Sequence, residues 1–168
     1  MAQPTFNRVF NVLFLCTANS ARSVMSEGLL NILGQGRFNA YSAGTHPSGK
    51  IHPYTIELLQ SIGYETSHLH SKSWQEFEHS NAPHMDIIIT VCDKAHGEAC
   101  PAWPGHPISA HWGYEDPRGD TEEEKRASFS KIFAQIKRRI DLLVSLPSEK
   151  LQHLSLNDTV KEIGKTTI

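Results

Sequence analysis

The residues with the clearest chemical potential lie near the amino terminus, between an apolar run and a helical pattern. Five residues separate Cys16 from Arg22. A turn between a strand and a helix presents backbone N–H groups to a tetrahedral anion, and an arginine adds a planar pair of donors. The positive electrostatic field of these N–H groups and of the arginine lowers the pKa of a nearby cysteine to roughly 3.5–7.5. We therefore expect Cys16 to be a thiolate nucleophile at neutral pH. The expected oxyanion-binding residues are Thr17, Ala18, Asn19, Ser20, Ala21, Arg22 and Ser23.

A structural role for this cysteine is the alternative. A single cysteine at the end of a buried strand is usually a small core residue. The polar residues that accompany it, together with Arg22, favour a catalytic role because they are the groups that an anion-binding loop requires.

Two further cysteines lie eight positions apart, at Cys92 and Cys100. A disulfide requires Cα atoms roughly 4.4–6.8 Å apart, so this pair closes only if the intervening segment folds back or rearranges, which suits a redox relay. Alternatively, Cys92 is a core residue and Cys100 has no role. Zinc is a third possibility, but the compact spacings of structural zinc sites are missing, and we predict no metal and no cofactor. The nearby histidines are His96, His106 and His111.

An aspartate precedes a proline at Asp116-Pro117. Proline restricts the preceding residue to extended backbone conformations, so the Asp116 carboxyl could be aimed into a pocket as a general acid. An ordinary turn aspartate is the alternative.

Composition limits the class of protein. A chain of 168 residues is long enough for one domain, and the net charge of −2 provides no basic field for nucleic acid. No apolar run is long enough to span a bilayer, and no export signal is recognisable, so we expect no membrane partner and a cytoplasmic location. Three cysteines without an export signal argue against a disulfide framework. Nothing in the apolar pattern demands a partner, and we expect a monomer.

Strand and helix patterns alternate along the chain. Apolar strand patterns cover 11–15, 38–43 and 85–92, and helical spacing follows residue 23, follows Pro53 and covers 122–146. Residues 93–120, rich in proline, glycine and histidine, are expected to form a loop. The tail from 148 is either an additional helix or a frayed end. These patterns predict an α/β protein with a parallel sheet.

The positions of two cysteines follow from this prediction. Cys16 and Cys92 each end a predicted strand. Because the carboxyl ends of parallel strands meet at one edge of a sheet, and ligands bind there, we expect these two thiols to share one rim.

Most of the chain, from about residue 12 to residue 143, resembles the low-molecular-weight protein tyrosine phosphatase superfamily. Residues 16–23 are similar to its Cys-x5-Arg-Ser loop, and Asp116-Pro117 is similar to its late Asp-Pro pair. The fold that this resemblance implies is a single-domain, three-layer sandwich with a central four-stranded parallel sheet, of the phosphatase I or flavodoxin-like type. We expect this domain to cover 1–147, with 148–168 as a tail.

Within that superfamily the chain is most similar to the thioredoxin-coupled arsenate reductases. Residues 90–92 and 100–101 resemble the segments with their second and third redox cysteines, and residues 111–117 resemble their His-Trp-Gly-Phe-x-Asp-Pro run. Tyrosine phosphatases carry aromatic residues just after the Asp-Pro pair, where this chain has Arg118-Gly119.

The resemblance implies a reaction. Cys16 attacks arsenate held by the loop and by Arg22, Asp116 protonates the departing oxygen, and Cys92 and Cys100 carry a disulfide outward to thioredoxin or a similar dithiol. Two alternatives remain: a phosphomonoester hydrolase that acts through a phosphocysteine, and an oxyanion-binding redox sensor that has no turnover.

Some relatives bind potassium beside the loop through Asn, Glu, Ser and Asp residues. Asn19, Glu27 and Ser42 match that pattern, but Lys72 stands at the aspartate position. An ammonium group there could replace the ion, so we predict no potassium requirement.

Overall fold

A four-stranded parallel sheet organises the residues that the computed structural model describes, which are 8–92, 107–147 and 156–166. The strand order is β2-β1-β3-β4, and all three neighbouring pairs are parallel. The predicted α/β fold with a four-stranded parallel sheet is confirmed. The strands are β1 (Phe10–Cys16), β2 (Phe38–Gly44), β3 (Ile87–Thr90) and β4 (Ile108–His111).

Four α-helices lie in the described part of the chain, and local chemistry explains where they begin. Proline at the first position of the second helix suits its fixed backbone, and His52 caps that helix by accepting the Tyr54 N–H. Thr121 caps the third helix. The helices are α1 (Arg22–Leu33), α2 (Pro53–Ser61), α3 (Glu122–Val144) and α4 (Leu156–Gly164), and a 3-10 helix covers Trp74–Phe77.

The two faces of the sheet are covered unequally. Alternate side chains of β1 point to opposite faces, so Phe14 and Cys16 join a large core with the helices while Leu13 and Leu15 join a smaller cluster. That smaller cluster is covered by Tyr41 and by the 3-10 helix. The sheet therefore lies between a thick helical layer and a thin second layer, and β1 is buried on both faces.

Strand β4 corrects the sequence prediction, because Ile108–His111 lies in the segment expected to be a loop. It has four residues, pairs with β3 alone at the edge of the sheet, and is only partly buried. A short edge strand needs no continuous apolar run, so its pattern was too weak to recognise beside the surrounding prolines and glycines. Residues 93–106 of the expected loop lie outside the described ranges.

Helix α4 covers this edge. Leu156, Val160 and Ile163 are buried, and the indole N–H of Trp112 donates to the Val160 carbonyl at 3.0 Å. A Cβ atom at Gly164 would lie 2.4 Å from the His111 carbonyl oxygen, so only glycine permits this approach. None of the helices in the described ranges combines the length and the apolar character needed to cross a membrane.

Candidate active site

The strand ends bring the chemical residues to one edge of the sheet. Cys16 pairs in register with Gly44, Leu15 with Thr90, and Thr90 with His111. The segments that follow β1, β3 and β4 therefore border one cavity of about 830 Å³. Its lining residues are Thr17, Ala18, Arg22, Cys92, Tyr114, Glu115, Asp116, Arg118 and Ser128.

The loop between β1 and α1 turns its carbonyl groups outward. Because C=O and the next N–H of a trans peptide point in opposite directions, the N–H groups that follow the Thr17, Ala18 and Ser20 carbonyls turn inward. The inward N–H of Asn19 indeed lies 3.2 Å from the Cys16 sulfur. The loop is thus a concave set of donors, as an oxyanion site requires. The outward contacts are His46 N–H to Thr17 O, Ser48 N–H to Ala18 O, and His52 N–H to Ser20 O.

Asn19 determines the shape of this loop. Its φ of 51° is the left-handed conformation that asparagine tolerates better than most residues. Its side-chain amide donates to Ser23 Oγ at 2.9 Å and to Ser42 Oγ at 3.0 Å, and its side-chain oxygen accepts the Lys72 N–H at 2.9 Å. The side chain is fully buried, so these bonds tie the loop to β2 and to the segment before the 3-10 helix.

The nucleophile candidate is more deeply buried than expected. Cys16 is 3% exposed, and its sulfur lies 2.8 Å from Ser23 Oγ. Burial raises the pKa of the Cys16 thiol above its ordinary value, and the hydrogen bonds from Ser23 and Asn19 lower it without offsetting the burial. Burial therefore acts against the thiolate that the sequence predicts at neutral pH, since desolvation disfavours the charged form.

Arg22 and Asp116 meet across the cavity. Arg22 is the first residue of α1, and its guanidinium donates to the Tyr114 carbonyl at 2.9 Å. A second guanidinium nitrogen lies 3.6 Å from the Asp116 carboxylate, whose other oxygen lies 3.7 Å from Arg118 Nε. The Asp116 side chain is half exposed. The structure thus brings together the predicted anion-binding arginine and the predicted acid.

The second cysteine reaches the same cavity. Cys92 is buried, its sulfur lies 3.5 Å from the Thr17 hydroxyl, and its electrostatic effect raises the pKa of Cys16. No disulfide joins Cys16 to Cys92. Cys100, with His96 and His106, lies outside the described residues. Within the described ranges no three or more His, Cys, Asp or Glu residues are grouped as metal ligands would be.

A buried charge pair supports the loop from below. Glu27 accepts a hydrogen bond from Ser42 Oγ at 2.5 Å, and the Lys72 ammonium lies 3.8 Å from the same carboxylate oxygen. Burial raises the pKa of Glu27, while Lys72 and then Ser42 lower it. The lysine noted in the sequence therefore places its charge beside this carboxylate.

Four residues that line the cavity, among them Glu115, were not recognised as site residues from the sequence. The Tyr114 carbonyl holds Arg22 although 92 positions separate the residues, and Arg118 and Ser128 also line the cavity. No spacing pattern in the sequence links a backbone carbonyl to a distant arginine. Arg118, in contrast, lies two residues after the predicted acid Asp116, and that position could have identified it as a site residue.

Comparison with known proteins identifies the family. Residues 11–155 match the family of low molecular weight phosphotyrosine protein phosphatases. The arsenate reductase of Bacillus subtilis (strain 168) is 34% identical over 131 residues, which are 77% of this chain and 91% of the relative. The glutaredoxin arsenate reductase of Synechocystis sp. is 31% identical over 134 residues, 80% of this chain and 95% of the relative.

A solved structure gives the same result. The thioredoxin-dependent arsenate reductase of Corynebacterium glutamicum superposes with a TM-score of 0.57 at 26% identity, over 83% of this chain and 62% of the other. The matched residues include the Cys16 loop and Asp116, which border one cavity. The chain belongs to the low molecular weight phosphotyrosine protein phosphatase family, and its relatives include arsenate reductases.

Proposed function

We propose that this protein is an arsenate reductase. The observation that carries the proposal is a second thiol in the cavity: Cys92 lines the same space as Arg22 and Asp116 and lies beside the loop at Thr17. Hydrolysis of a phosphate ester needs one nucleophile, whereas reduction of arsenate needs two electrons, which two thiols supply when they form a disulfide. The arsenate reductases among the relatives support the same assignment.

The first step forms a bond between Cys16 and arsenic. The inward N–H groups of the loop and the Arg22 guanidinium hold the anion. The Cys16 sulfur attacks arsenic as an As–O bond breaks, and the proton that leaves the thiol passes to the bound anion. Asp116, the carboxyl group nearest to Arg22, supplies the proton with which the departing oxygen leaves as water.

The second step transfers the electrons. The Cys92 thiolate attacks the Cys16 sulfur, an S–S bond forms, and the S–As bond breaks with its electron pair remaining on arsenic. Arsenic is reduced from the +5 to the +3 state, two thiols are oxidised, and arsenite leaves. Cys100 then attacks Cys92, which frees Cys16 and moves the disulfide outward.

An external dithiol completes the cycle. Relatives named as thioredoxin-dependent and as a glutaredoxin arsenate reductase support a reductant of this class. We infer that the protein works as a monomer in the cytoplasm, where thiol reductants keep the cysteines reduced between turnovers.

The decisive experiment is a single turnover of fully reduced protein with arsenate and no added reductant. We expect about one arsenite per protein, with mass spectrometry showing a Cys92–Cys100 disulfide. The Cys100→Ser variant should still release one arsenite and should accumulate a Cys16–Cys92 disulfide. The Cys92→Ser variant should release none.

Hydrolysis of an aryl phosphate is measured on the same samples. Hydrolysis retained by Cys92→Ser shows that the loop is intact and that its loss of arsenite formation is a loss of electron transfer. Fast hydrolysis by the unmodified protein without any arsenite would overturn the proposal and make the protein a phosphatase. Arsenite formed by Cys92→Ser at the normal yield would overturn the relay.

A further inference from the structure

We propose that Arg139 and helix α4 position the segment that carries Asp116, so that Arg139 is a positioning residue for the reaction. The inference rests on the proposed function in one respect, the role of Asp116 as the acid. Helix α4 begins at Leu156, just after the residues 11–155 that match the family. It thus lies outside the part of this chain that matches the family.

Arg139 is a buried cation that joins two parts of the chain. It lies on α3, is 5% exposed, and donates to the Gly113 carbonyl at 3.1 Å and to the Thr166 carbonyl at 3.2 Å. Within the described ranges it has no carboxylate partner within ion-pair distance. Because an uncompensated buried charge is costly, its bonds to these two carbonyls resist being broken. One guanidinium thereby ties the segment before Asp116 to the residues just after α4.

Tyr114 continues this connection to the anion site. The Arg139 guanidinium lies 4.9 Å from the centre of the Tyr114 ring, and the Tyr114 carbonyl accepts the 2.9 Å hydrogen bond from Arg22. Burial raises the pKa of the Tyr114 hydroxyl, and the charge and side chain of the neighbouring Arg139 lower it without offsetting the burial. If these two side chains served packing alone, apolar side chains would fill the same space without the free-energy cost of burying polar groups. Their polar groups therefore point to a positioning role.

Helix α4 contacts the segment before Asp116 at Trp112, one residue before the Gly113 carbonyl that Arg139 binds. Trp112 is fully buried and donates to the Val160 carbonyl, and Gly164 lies against the His111 carbonyl and the indole ring. The backbone N–H groups of Trp112 and Tyr114 donate to Thr90 and Val91. The segment is therefore held by the sheet on one side and by α4 with Arg139 on the other.

Asp116 takes its position from these anchors. Alternate residues of an extended chain lie on one side, and Trp112, Tyr114 and Asp116 are alternate residues. Pro117 keeps Asp116 itself in an extended conformation. Among the described residues, the Asp116 carboxylate lies within ion-pair distance of Arg22 and Arg118, at 3.6 and 3.7 Å, and it is half exposed. These exposed contacts do not hold it as a buried anchor would. A displacement of Gly113 and Tyr114 would move the acid and remove the partner of Arg22 together.

The test compares Arg139→Lys with Arg138→Lys, a matched control that is exposed on the same helix. Lysine keeps the charge at 139 but lacks the planar fork that bridges two carbonyls. In arsenate turnover we expect Arg139→Lys to lower kcat about tenfold, which is less than the roughly 10²–10⁴-fold that a general acid contributes because the acid is displaced and not removed, and to change KM less than about threefold. Arg138→Lys should behave as the unmodified protein. Gly164→Ala, which pushes α4 away from His111, should lower kcat in the same direction.

A double-variant cycle separates positioning from general damage to the fold. If Arg139 acts through Asp116, Arg139→Lys should cause a smaller loss of kcat in an Asp116→Asn background than in the unmodified protein. An equal loss in both backgrounds, or no loss in either, overturns the proposal.

Hydrogen exchange gives a readout that does not require turnover. We expect the Trp112 and Tyr114 amides to exchange at least tenfold faster in Arg139→Lys than in Arg138→Lys, while the β1 amides stay protected. If the unmodified protein forms no arsenite, the proposed function fails, and the cycle is measured on aryl phosphate hydrolysis instead. If it catalyses neither reaction, unchanged exchange overturns the anchoring and faster exchange supports it.

Discussion

The amino-terminal ends of α1 and α3 have the same backbone dipole, but they differ in their capping residues and in the charge of their first turns. At α3 the Thr121 hydroxyl accepts the Glu124 N–H, and the first turn is acidic. At α1 the residue in the capping position is Ala21, no side chain caps the helix, and the first turn begins with the cation Arg22. The acidic residues of α3 are Glu122, Glu123 and Glu124.

This difference indicates that the amino-terminal end of α1 is the one whose N–H groups are available to a ligand. A side-chain cap contributes about 1 kcal/mol and each favourable charge about 0.3–1 kcal/mol, so α3 is stabilised by its own residues. The end of α1 forgoes those contributions, and its donors face a cavity beside Cys16.

The largest effect is expected from Cys16→Ser. A serine hydroxyl is a far weaker nucleophile and cannot form a disulfide, so arsenate reduction should fall by about 10⁴-fold or more, as for other lost nucleophiles. Arsenite release measures it, and thermal unfolding should show a fold that is intact. Residual turnover above one-hundredth of the normal rate would remove Cys16 from the mechanism.

Arg22→Lys should have the next largest effect. Lysine cannot grip two oxygens of an anion or keep the Tyr114 contact in the same geometry, so kcat/KM should fall about 10²–10³-fold. Calorimetry with phosphate should show weaker anion binding by the variant. Lys125→Arg, a conservative change on the first turn of α3, is the control, and equal losses in both variants would contradict the special role of the α1 end.

The titration of Cys16 decides between burial and the field of the α1 end. Because burial raises the pKa of the native thiol, its thiolate absorbance should rise at a higher pH than in the unfolded protein, above about 8.5. The thiol form is favoured in the native state, so this contribution to the free energy of unfolding is present below that pH and is lost as the pH rises through the native pKa. The measurement is the absorbance difference from Cys16→Ser, and a native pKa below 7 would mean that the helix end dominates.

A smaller effect is expected from changes to the Glu27–Lys72 pair, which lies beside the Cys16 loop. Because the Lys72 ammonium already lies 3.8 Å from Glu27, potassium should change turnover less than about twofold. Lys72→Met removes the cation beside a buried carboxylate and should lower the free energy of unfolding by about 1–3 kcal/mol. Urea denaturation measures this, and clear activation of the unmodified protein by potassium, but not by an equal concentration of a larger cation, would refute the replacement.

The smallest effect is expected at the capped helix. Thr121→Ala removes the acceptor for the Glu124 N–H and should lower the free energy of unfolding by about 1 kcal/mol. Arsenate turnover should not change, because neither Thr121 nor Glu124 lines the cavity. A loss of kcat larger than about threefold would show that the two helix ends are coupled.

Much of the fold could be predicted because its signals are local. The continuous apolar runs of β1 and β3 and the helical spacing of α1 and α3 predicted those elements within a few residues. Strand β4 could not be predicted, since its pairing with β3 supplies the order that its own four residues do not encode.

The loop from Cys16 to Arg22 could be predicted for the same reason. Cys16, Asn19 and Arg22 lie within seven consecutive residues, and a segment between a strand and a helix presents backbone N–H groups that can hold an anion. The location of Cys16 and Cys92 at one edge of the sheet followed from one rule, that the carboxyl ends of parallel strands share an edge.

Only the tertiary structure decided how these groups interact. The Tyr114 carbonyl reaches Arg22 and the Gly113 carbonyl reaches Arg139 because α1 and α3 pack on one face of the sheet. The sign of the Cys16 pKa shift depends on desolvation, which is a property of every element packed around the thiol. The sequence by itself determined which groups are present and which are neighbours in the chain. Burial and long-range contacts were decided by packing, because they arise only when distant segments exclude water together.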